Sequence, residues 1–334
     1  MNPTTIMRPT APLALQQIYA PVRAELEQTE TLLKDVFSSD IGFVDRLVKH
    51  GFRLGGKRLR PALVLLTGRA CGRIDRTHIV LAAVVEMIHT ASLIHDDVLD
   101  EATLRRHLET VNARWDNEAS VLLGDYLYAR SMCLAASLES AFASRVLADA
   151  SRMLCEGELR QVGSRGNFDL TEDEYLDIVG AKTAALCACC CRLGAKASDA
   201  DEATIEAMAR YGHLLGVAFQ IIDDVLDVRG TEDVAGKSLG TDLIKQKPTL
   251  PLIRLLAVLE PTQRAAVLRT LAQGNGDVGG EIASLFAQHD AVDYAQQRAL
   301  EHLQLAKDAL EEAAVAGPIE ELRQLADFVA VRQQ

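Results

Sequence analysis

From Pro61 to Pro248 the chain contains no proline. Proline lacks a backbone N–H and its ring clashes with the preceding helical turn, so a proline-free stretch of this length can carry long unbroken helices. Ala, Leu, Glu, Arg and Gln dominate it, and all favour helix. Apolar residues recur at three- and four-residue steps through 79–100, 119–138, 204–227 and 294–313, and each stretch predicts a helix. Thr171 with Glu174 reads as a capping box before Tyr175. Pro318, after Gly317, reads as a first helical residue. No alternating run suggests a sheet. The expected fold is all-α: one large helical bundle domain over 12–334, preceded by a flexible Thr- and Pro-rich segment at 1–11. Two polar stretches, roughly 101–112 and 229–242, interrupt the helices without the length or composition of an interdomain linker.

With 35 Lys and Arg against 47 Asp and Glu, the formal net charge is −12, which argues against a nucleic-acid binder. It leaves room for a small anionic ligand held by local cations. The seven cysteines lack the count and spacing of a disulfide framework. No cationic start leads into an apolar signal segment. The longest nearly apolar run, 79–88, contains Glu86 and is too short to span a bilayer. The expectation is a soluble cytoplasmic protein with no transmembrane segment.

The chemistry lies in a repeated motif. Asp-Asp-Val-Leu-Asp occurs at 96–100 and again at 223–227, each time at the end of an apolar helical stretch. Residues four apart share a helix face, so Asp96 pairs with Asp100 and Asp223 with Asp227. Crowding carboxylates in this way is costly without a cation. Oxygen donors with no His–Cys set favour Mg²⁺ bridged to a phosphate-bearing substrate over Zn²⁺. A solvated acidic helix end is the bland alternative, and duplication of the motif weakens it. Cations sit where phosphates would need them. Gly55-Gly-Lys-Arg-Leu-Arg-Pro61 delivers Lys57, Arg58 and Arg60, Arg105-Arg106 follow the first motif, and Lys182-Thr183, Lys237 and Lys247 lie around the second. The polar 237–251 stretch has the makings of a lid.

These residues resemble a known family. Gly56-Lys57-Arg58-Leu59-Arg60-Pro61, the run from His89 to Asp100, Arg105-Arg106, Gly124-Asp125, Lys182-Thr183, Gln220 to Asp227, and Gly236-Lys237 through Pro251 follow the order and spacing of trans-prenyl diphosphate synthases. The resemblance is nearest to the long-chain polyprenyl (octaprenyl, solanesyl, decaprenyl) branch. Two residues depart from it: Gln246 and His107 stand where the family commonly has glycine. The resemblance implies the isoprenoid synthase fold around a central cavity, a homodimer, and growth of an allylic diphosphate by successive condensation with isopentenyl diphosphate, as in making a quinone side chain. It implies that Asp96 and Asp100 bind two Mg²⁺ ions and that Asp223, supported by Asp227, binds a third. Arg105, Lys182, Gln220, Lys237 and Lys247 would hold the allylic diphosphate; Lys57, Arg60, His89 and Arg106 would hold isopentenyl diphosphate. Thr183 would line the site beside the developing cation, and Ala91 and Ser92 would be the small residues that leave room for a long tail. Elementary chemistry agrees, since breaking an allylic C–O bond leaves charge on pyrophosphate that metal ions and cations stabilise.

Other readings compete. His89 and His95-Asp96 imitate the ligands of a His-Asp phosphohydrolase, a scaffold subunit would have lost aspartates, and a terpene cyclase usually carries a degenerate second motif. A shorter-chain farnesyl or geranylgeranyl synthase is the alternative within the family. Cys187, Cys190 and Cys191 share a helix face and could bind a soft metal, but are expected to pack as small apolar residues. His95, His107 and His213 read as structural or exposed, Trp115 as an anchor, and Met132 as core or a deep tunnel residue.

Overall fold

The computed structural model describes residues 14–54, 56–138, 140–229, 241–273 and 278–332. Segment 1–11 and Lys237 lie outside them. The principal helices are α1 (Arg23–Val36), α2 (Gly42–Arg53), α3 (Leu59–Ala70), α4 (Arg76–Leu99), α5 (Asn117–Ala136), α6 (Ala141–Gly163), α7 (Glu172–Val179), α8 (Ala185–Ala197), α9 (Glu202–Arg229), α10 (Leu250–Val258), α11 (Pro261–Gln273), α12 (Val278–Gln288), α13 (Ala291–Glu312) and α14 (Glu320–Ala330). A π-helical turn, Gly180–Ala184, joins α7 to α8. All four predicted stretches are helices, with ends shifted by less than about one turn.

Local chemistry explains the ends. The Asp75 side chain accepts from the Thr77 and His78 amides and starts α4. Asp116 caps α5 and Ser140 caps α6 in the same way. The Thr171–Glu174 capping box is present before α7. Pro318 is not a first helical residue: Ile319 is the N-cap of α14, so the proline precedes the helix.

Helix α4 is apolar on every side and is enclosed accordingly. It packs against α1 and α3, against α5, and against α8. Its residues divide between two apolar clusters, a large one shared with α3, α8, α9 and α13, and a smaller one shared with α2 and α5. By length and composition two segments could cross a membrane, 76–99 and 172–197, yet both are mostly buried among other helices. They are core helices of the bundle. Cys187, Cys189, Cys190 and Cys191 are buried, unbridged and packed in the large cluster. Burial pushes their thiols up, so they behave as small apolar side chains.

One detail departs from an all-helical chain. Leu104–Arg105 (β1) pairs antiparallel with Leu108–Glu109 (β2), closing a hairpin over Arg106 and His107. Two-residue strands have no room for a readable alternation. Both turn residues have positive φ, 52° and 63°, the requirement of a tight hairpin turn and the reason glycine suits His107's position. Trp115 anchors the end of this loop, packing edge-on against His50 of α2 at 5.2 Å.

Candidate active site

The first acidic motif closes α4. Asp96 and Asp100 are half-buried on a common face, while Asp97 is turned inward and buried. Arg105 reaches back from β1 and places Nε and Nη2 at 2.9 and 2.8 Å from Asp97 Oδ1. The guanidinium expected to grip a diphosphate therefore also clamps the middle aspartate. Asp100 is crowded by cations: Lys245 Nζ at 3.0 Å, Lys247 Nζ at 3.2 Å and Arg165 Nη2 at 3.8 Å. Burial opposes its charge, but Lys247 and Lys245 hold the carboxyl below the usual range.

The second motif, at the end of α9, again turns its second aspartate inward. Asp223 is half-buried and accepts from Arg332 Nη1 at 2.5 Å, with the same guanidinium over the Phe219 ring at 4.3 Å. Asp224 is buried and accepts from the Tyr175 hydroxyl at 2.6 Å and Gln220 Nε2 at 2.9 Å. Burial first, then the charge of Asp242, pushes Asp224 up to about 8. Asp227 is buried as well and accepts from the Asp242 amide at 3.2 Å. Gln220 has partners within the protein: it donates to Asp224 and accepts from Thr183 Oγ1 at 2.8 Å.

Short segments bind the two motifs into one site. Between Asp242 and Lys247 the chain passes from the Asp227 carboxylate to the Asp100 carboxylate. In the π turn, Lys182 is under the charge of Asp96, while Thr183, one residue on, joins Gln220 and through it Asp224. Lys182 Nζ donates to Glu158 and Gln161 of α6 at 2.9 and 2.8 Å. Burial works against its charge, and Asp96 and Glu158 more than offset it.

A second cluster of cations adjoins the first. Arg106, on the hairpin tip, donates to Leu54 O at 3.1 Å and lies so close to Gly56 that any Cβ there would fall 2.2 Å from its Nη1. Lys57 feels Arg332, Asp223 and Arg106, and burial foremost lowers its pKa. His89 projects from α4 into the same group. Burial, then Arg60, Arg105 and Arg106, depress its pKa well below the ordinary imidazole value, so it is neutral and able to donate one hydrogen bond. The Arg60 Nε–H is buried and has no hydrogen-bond partner among the described residues, which suits a donor to a ligand. The His-Asp reading fails here, because His95 Nε2 lies 3.2 Å from Val121 O, turned toward α5 and away from the cleft.

The Polyprenyl synthetase family model matches residues 42–287. The chain belongs to this family. It is 37% identical over 297 residues, 89% of this chain and 91% of the relative, to an all-trans-nonaprenyl-diphosphate synthase (geranyl-diphosphate specific) of Rhodobacter capsulatus. A short chain isoprenyl diphosphate synthase of Methanothermobacter thermautotrophicus is 34% identical over 292 residues, 86% of this chain and 90% of its own. The crystal structure of a polyprenyl synthase from Caulobacter crescentus, complexed with calcium and isoprenyl diphosphate, superimposes with a TM-score of 0.91 at 34% identity, covering 98% of this chain and all of that one. The protein is thus a trans-prenyltransferase with the isoprenoid synthase fold.

In this prenyltransferase several site residues carry no signal strong enough to single out from the sequence. Arg165 and Arg332 are isolated surface-type cations until the fold brings them to Asp100 and Asp223, and Lys245, within the 237–251 stretch, is set apart from its neighbours only by its contact with Asp100. Glu158 and Gln161 sit one turn apart on α6 and are identifiable only through Lys182. Gly157 marks the close crossing: a Cβ there would lie 2.4 Å from the Lys182 amide nitrogen. Ser92 is half-buried on the Asp96 face, and its hydroxyl donates to His89 O at 2.9 Å. Ala91 belongs to the smaller apolar cluster, together with Leu123 and Leu127 of α5, and Met132 packs against the larger one.

Proposed function

We propose that the chain, as one helical domain over 12–334, elongates an allylic diphosphate by successive condensation with isopentenyl diphosphate and releases a long-chain all-trans polyprenyl diphosphate. The observation that carries this reading is the joining of two aspartate motifs and two cation groups in one cleft, with Lys182 against Asp96 and Arg332 against Asp223. The donors are carboxylate oxygens and His95 is turned away, a donor set that suits Mg²⁺, which would take over from the cations now paired with those carboxylates. Asp96 and Asp100 would hold two Mg²⁺ ions and Asp223, backed by Asp227, a third. When bound, the metal neutralises charge on the departing pyrophosphate.

The remaining work falls to the protein's own groups. Lys182, Lys247 and Lys245, released from their carboxylate partners, add positive charge around the leaving diphosphate. Arg60 and Lys57, with neutral His89 and Arg106, orient isopentenyl diphosphate so that its double bond meets the allylic carbon. Thr183, fixed by Gln220, lines the site with a hydroxyl that cannot swing freely. No strong side-chain base is needed if the departing pyrophosphate takes the proton. Incubation with farnesyl diphosphate, isopentenyl diphosphate and Mg²⁺ tests the reading. Prenyl products beyond the four-unit size support it; free phosphate, cyclic hydrocarbon or no reaction would each refute it.

The same proposal includes a homodimer and a cytoplasmic location. Leu122 and Val121 on α5 and Leu159 and Val162 on α6 are exposed, Leu122 at 60% and Leu159 at 72%, on adjacent helices. Apolar side chains gathered in this way favour a protein partner, here a second copy. Sedimentation at twice the 36.3 kDa chain mass is expected. The seven cysteines are unbridged, in keeping with a reducing compartment.

A further inference from the structure

Glu86 is a buried acid ten residues upstream of the first aspartate motif, and the chemistry described above makes no use of it. It lies on α4 three residues before His89, hence on the same side of the helix. Arg58 Nη1 donates to its Oε1 at 2.6 Å. The rest of the same guanidinium is held too: Nε and Nη2 donate to Glu30 of α1, and the group lies over the Phe52 ring at 5.2 Å. Arg58 is the residue at which the chain turns into α3, and its φ is 52°. A non-glycine residue stays in that left-handed region only where its surroundings fix it. Its neighbours in sequence, Lys57 on one side and Arg60 on the other, are two cations of the second pocket.

We infer that Glu86 is a positioning residue for isopentenyl diphosphate: by gripping Arg58 it sets the bend that aims Lys57 and Arg60 at the ligand. This rests on the pocket assignment made above. The fork geometry matters, because one guanidinium must reach α4 and α1 together, which a lysine ammonium cannot do. The negative charge matters as well. Arg60, Arg105 and Arg106 converge with Arg58 around His89, Lys57 adjoins Arg106, and Glu86 acts on Arg58, Arg60 and Arg106. The pocket is thereby kept from expelling its own cations, and Glu86 does not need to touch the substrate.

The test uses full-length enzyme with Mg²⁺ and varies each substrate separately. Glu86→Gln keeps the shape and removes the charge. It is expected to raise KM for isopentenyl diphosphate by about tenfold, the effect of one weakened charge-assisted contact, with kcat and the allylic KM within about twofold. Arg58→Lys is expected to do the same, and the double variant to add little, since both break one linkage. Equal losses toward both substrates would mean a merely structural salt bridge and would overturn the inference. Arg60→Ala serves as the reference. If it raises KM for isopentenyl diphosphate while Glu86→Gln leaves it unchanged, the pocket stands and the role of Glu86 is refuted. If Arg60→Ala is also silent, the pocket assignment itself is wrong. Should Glu86→Gln not fold, Glu30→Gln, at a partly exposed position, decides: a raised KM for isopentenyl diphosphate alone supports the linkage, and an unchanged one removes it.

Discussion

Replacing Gly157 by alanine tests how the allylic half of the site is held. The added methyl would lie 2.4 Å from Lys182 N, 2.8 Å from its Cα and 3.0 Å from the Ala181 carbonyl carbon. All three are backbone atoms, so no side chain can rotate out of the way. Helix α6 and the π turn must separate by about 1 Å to regain ordinary contact, and overpacking of this kind costs roughly 1–3 kcal/mol. In a large domain each kcal/mol moves Tm by roughly 2–4 °C or less, so the variant should fold and melt a few degrees early. The effect on catalysis should be larger. Lys182 is braced by Glu158 and Gln161 on α6 itself, so the shift changes where its ammonium sits relative to Asp96. A displacement near 1 Å from productive geometry is worth on the order of 10²-fold. Steady-state assays with the allylic substrate varied should show kcat/KM reduced about 10–100-fold and KM for isopentenyl diphosphate nearly unchanged. A folded Gly157→Ala enzyme with undiminished kcat/KM would show that this crossing does not set the position of Lys182.

Asp96→Ala and Asp223→Ala should each lower turnover by roughly 10²–10³ or more at saturating Mg²⁺ with the circular dichroism spectrum retained, because each removes stabilisation of the leaving group; near-normal turnover in either would refute the ligand assignment. Ser92→Phe should shorten the products toward the three- or four-unit range in a chromatographic assay, since the side chain stands on the Asp96 face. Ala91→Phe should instead lower Tm by overpacking the smaller cluster, at about 1–3 kcal/mol, and equal effects of the two variants on product length would contradict this division. Gln246 has φ 53°, a region that glycine enters freely and β-branched residues hardly at all. Thermal melts should therefore find Gln246→Gly no less stable than the parent and Gln246→Val less stable by about 1–2 kcal/mol; the reverse order would be decisive against strain at this position.

The long helices were legible because their signal is redundant. A missing proline, a period of three to four and a favourable composition all indicate the same state over 76–99 and 202–229. The hairpin was not, since two residues per strand cannot alternate, and its turn uses Arg106 and His107 where a hairpin would ordinarily advertise itself with Asn-Gly. The departures at His107 and Gln246 were visible as departures. Their backbone meaning emerged only with φ values of 63° and 53°. In the site, the residues found from sequence were those with a motif around them. Arg332 and Glu158 act across long sequence separations, and nothing local distinguishes them from surface charges. Sequence also cannot say which side of a charged residue is in use. Arg105 and Gln220 were expected to face a ligand, and the fold also gives each an internal partner.

The repeated Asp-Asp-Val-Leu-Asp therefore encodes more than a ligand set. A helix advances about 100° per residue, so the first and fifth residues share one face while the second is carried toward the bundle. Left unpaired, that second carboxylate would add repulsion and suffer burial at once. Both copies meet the problem by giving it a donor from another element: Arg105 of the hairpin for Asp97 and Tyr175 of α7 for Asp224. Each such bond also resists rotation of the helix end about its own axis, and that rotation decides where Asp96, Asp100 and Asp223 point. The two anchors differ in kind. Asp97 is held by a full positive charge, whereas Asp224 is held by neutral donors and retains a proton more readily, its carboxyl pushed up by burial to about 8. The paired motifs are alike in sequence and in the inward turn of the second aspartate, but Asp227 is buried where Asp100 is half-buried, and the second copy places less negative charge next to its outer carboxylate. That asymmetry matches a division in which the first motif gathers more positive charge, from Arg105, Lys245 and Lys247, and the second is paired directly with the guanidinium of Arg332.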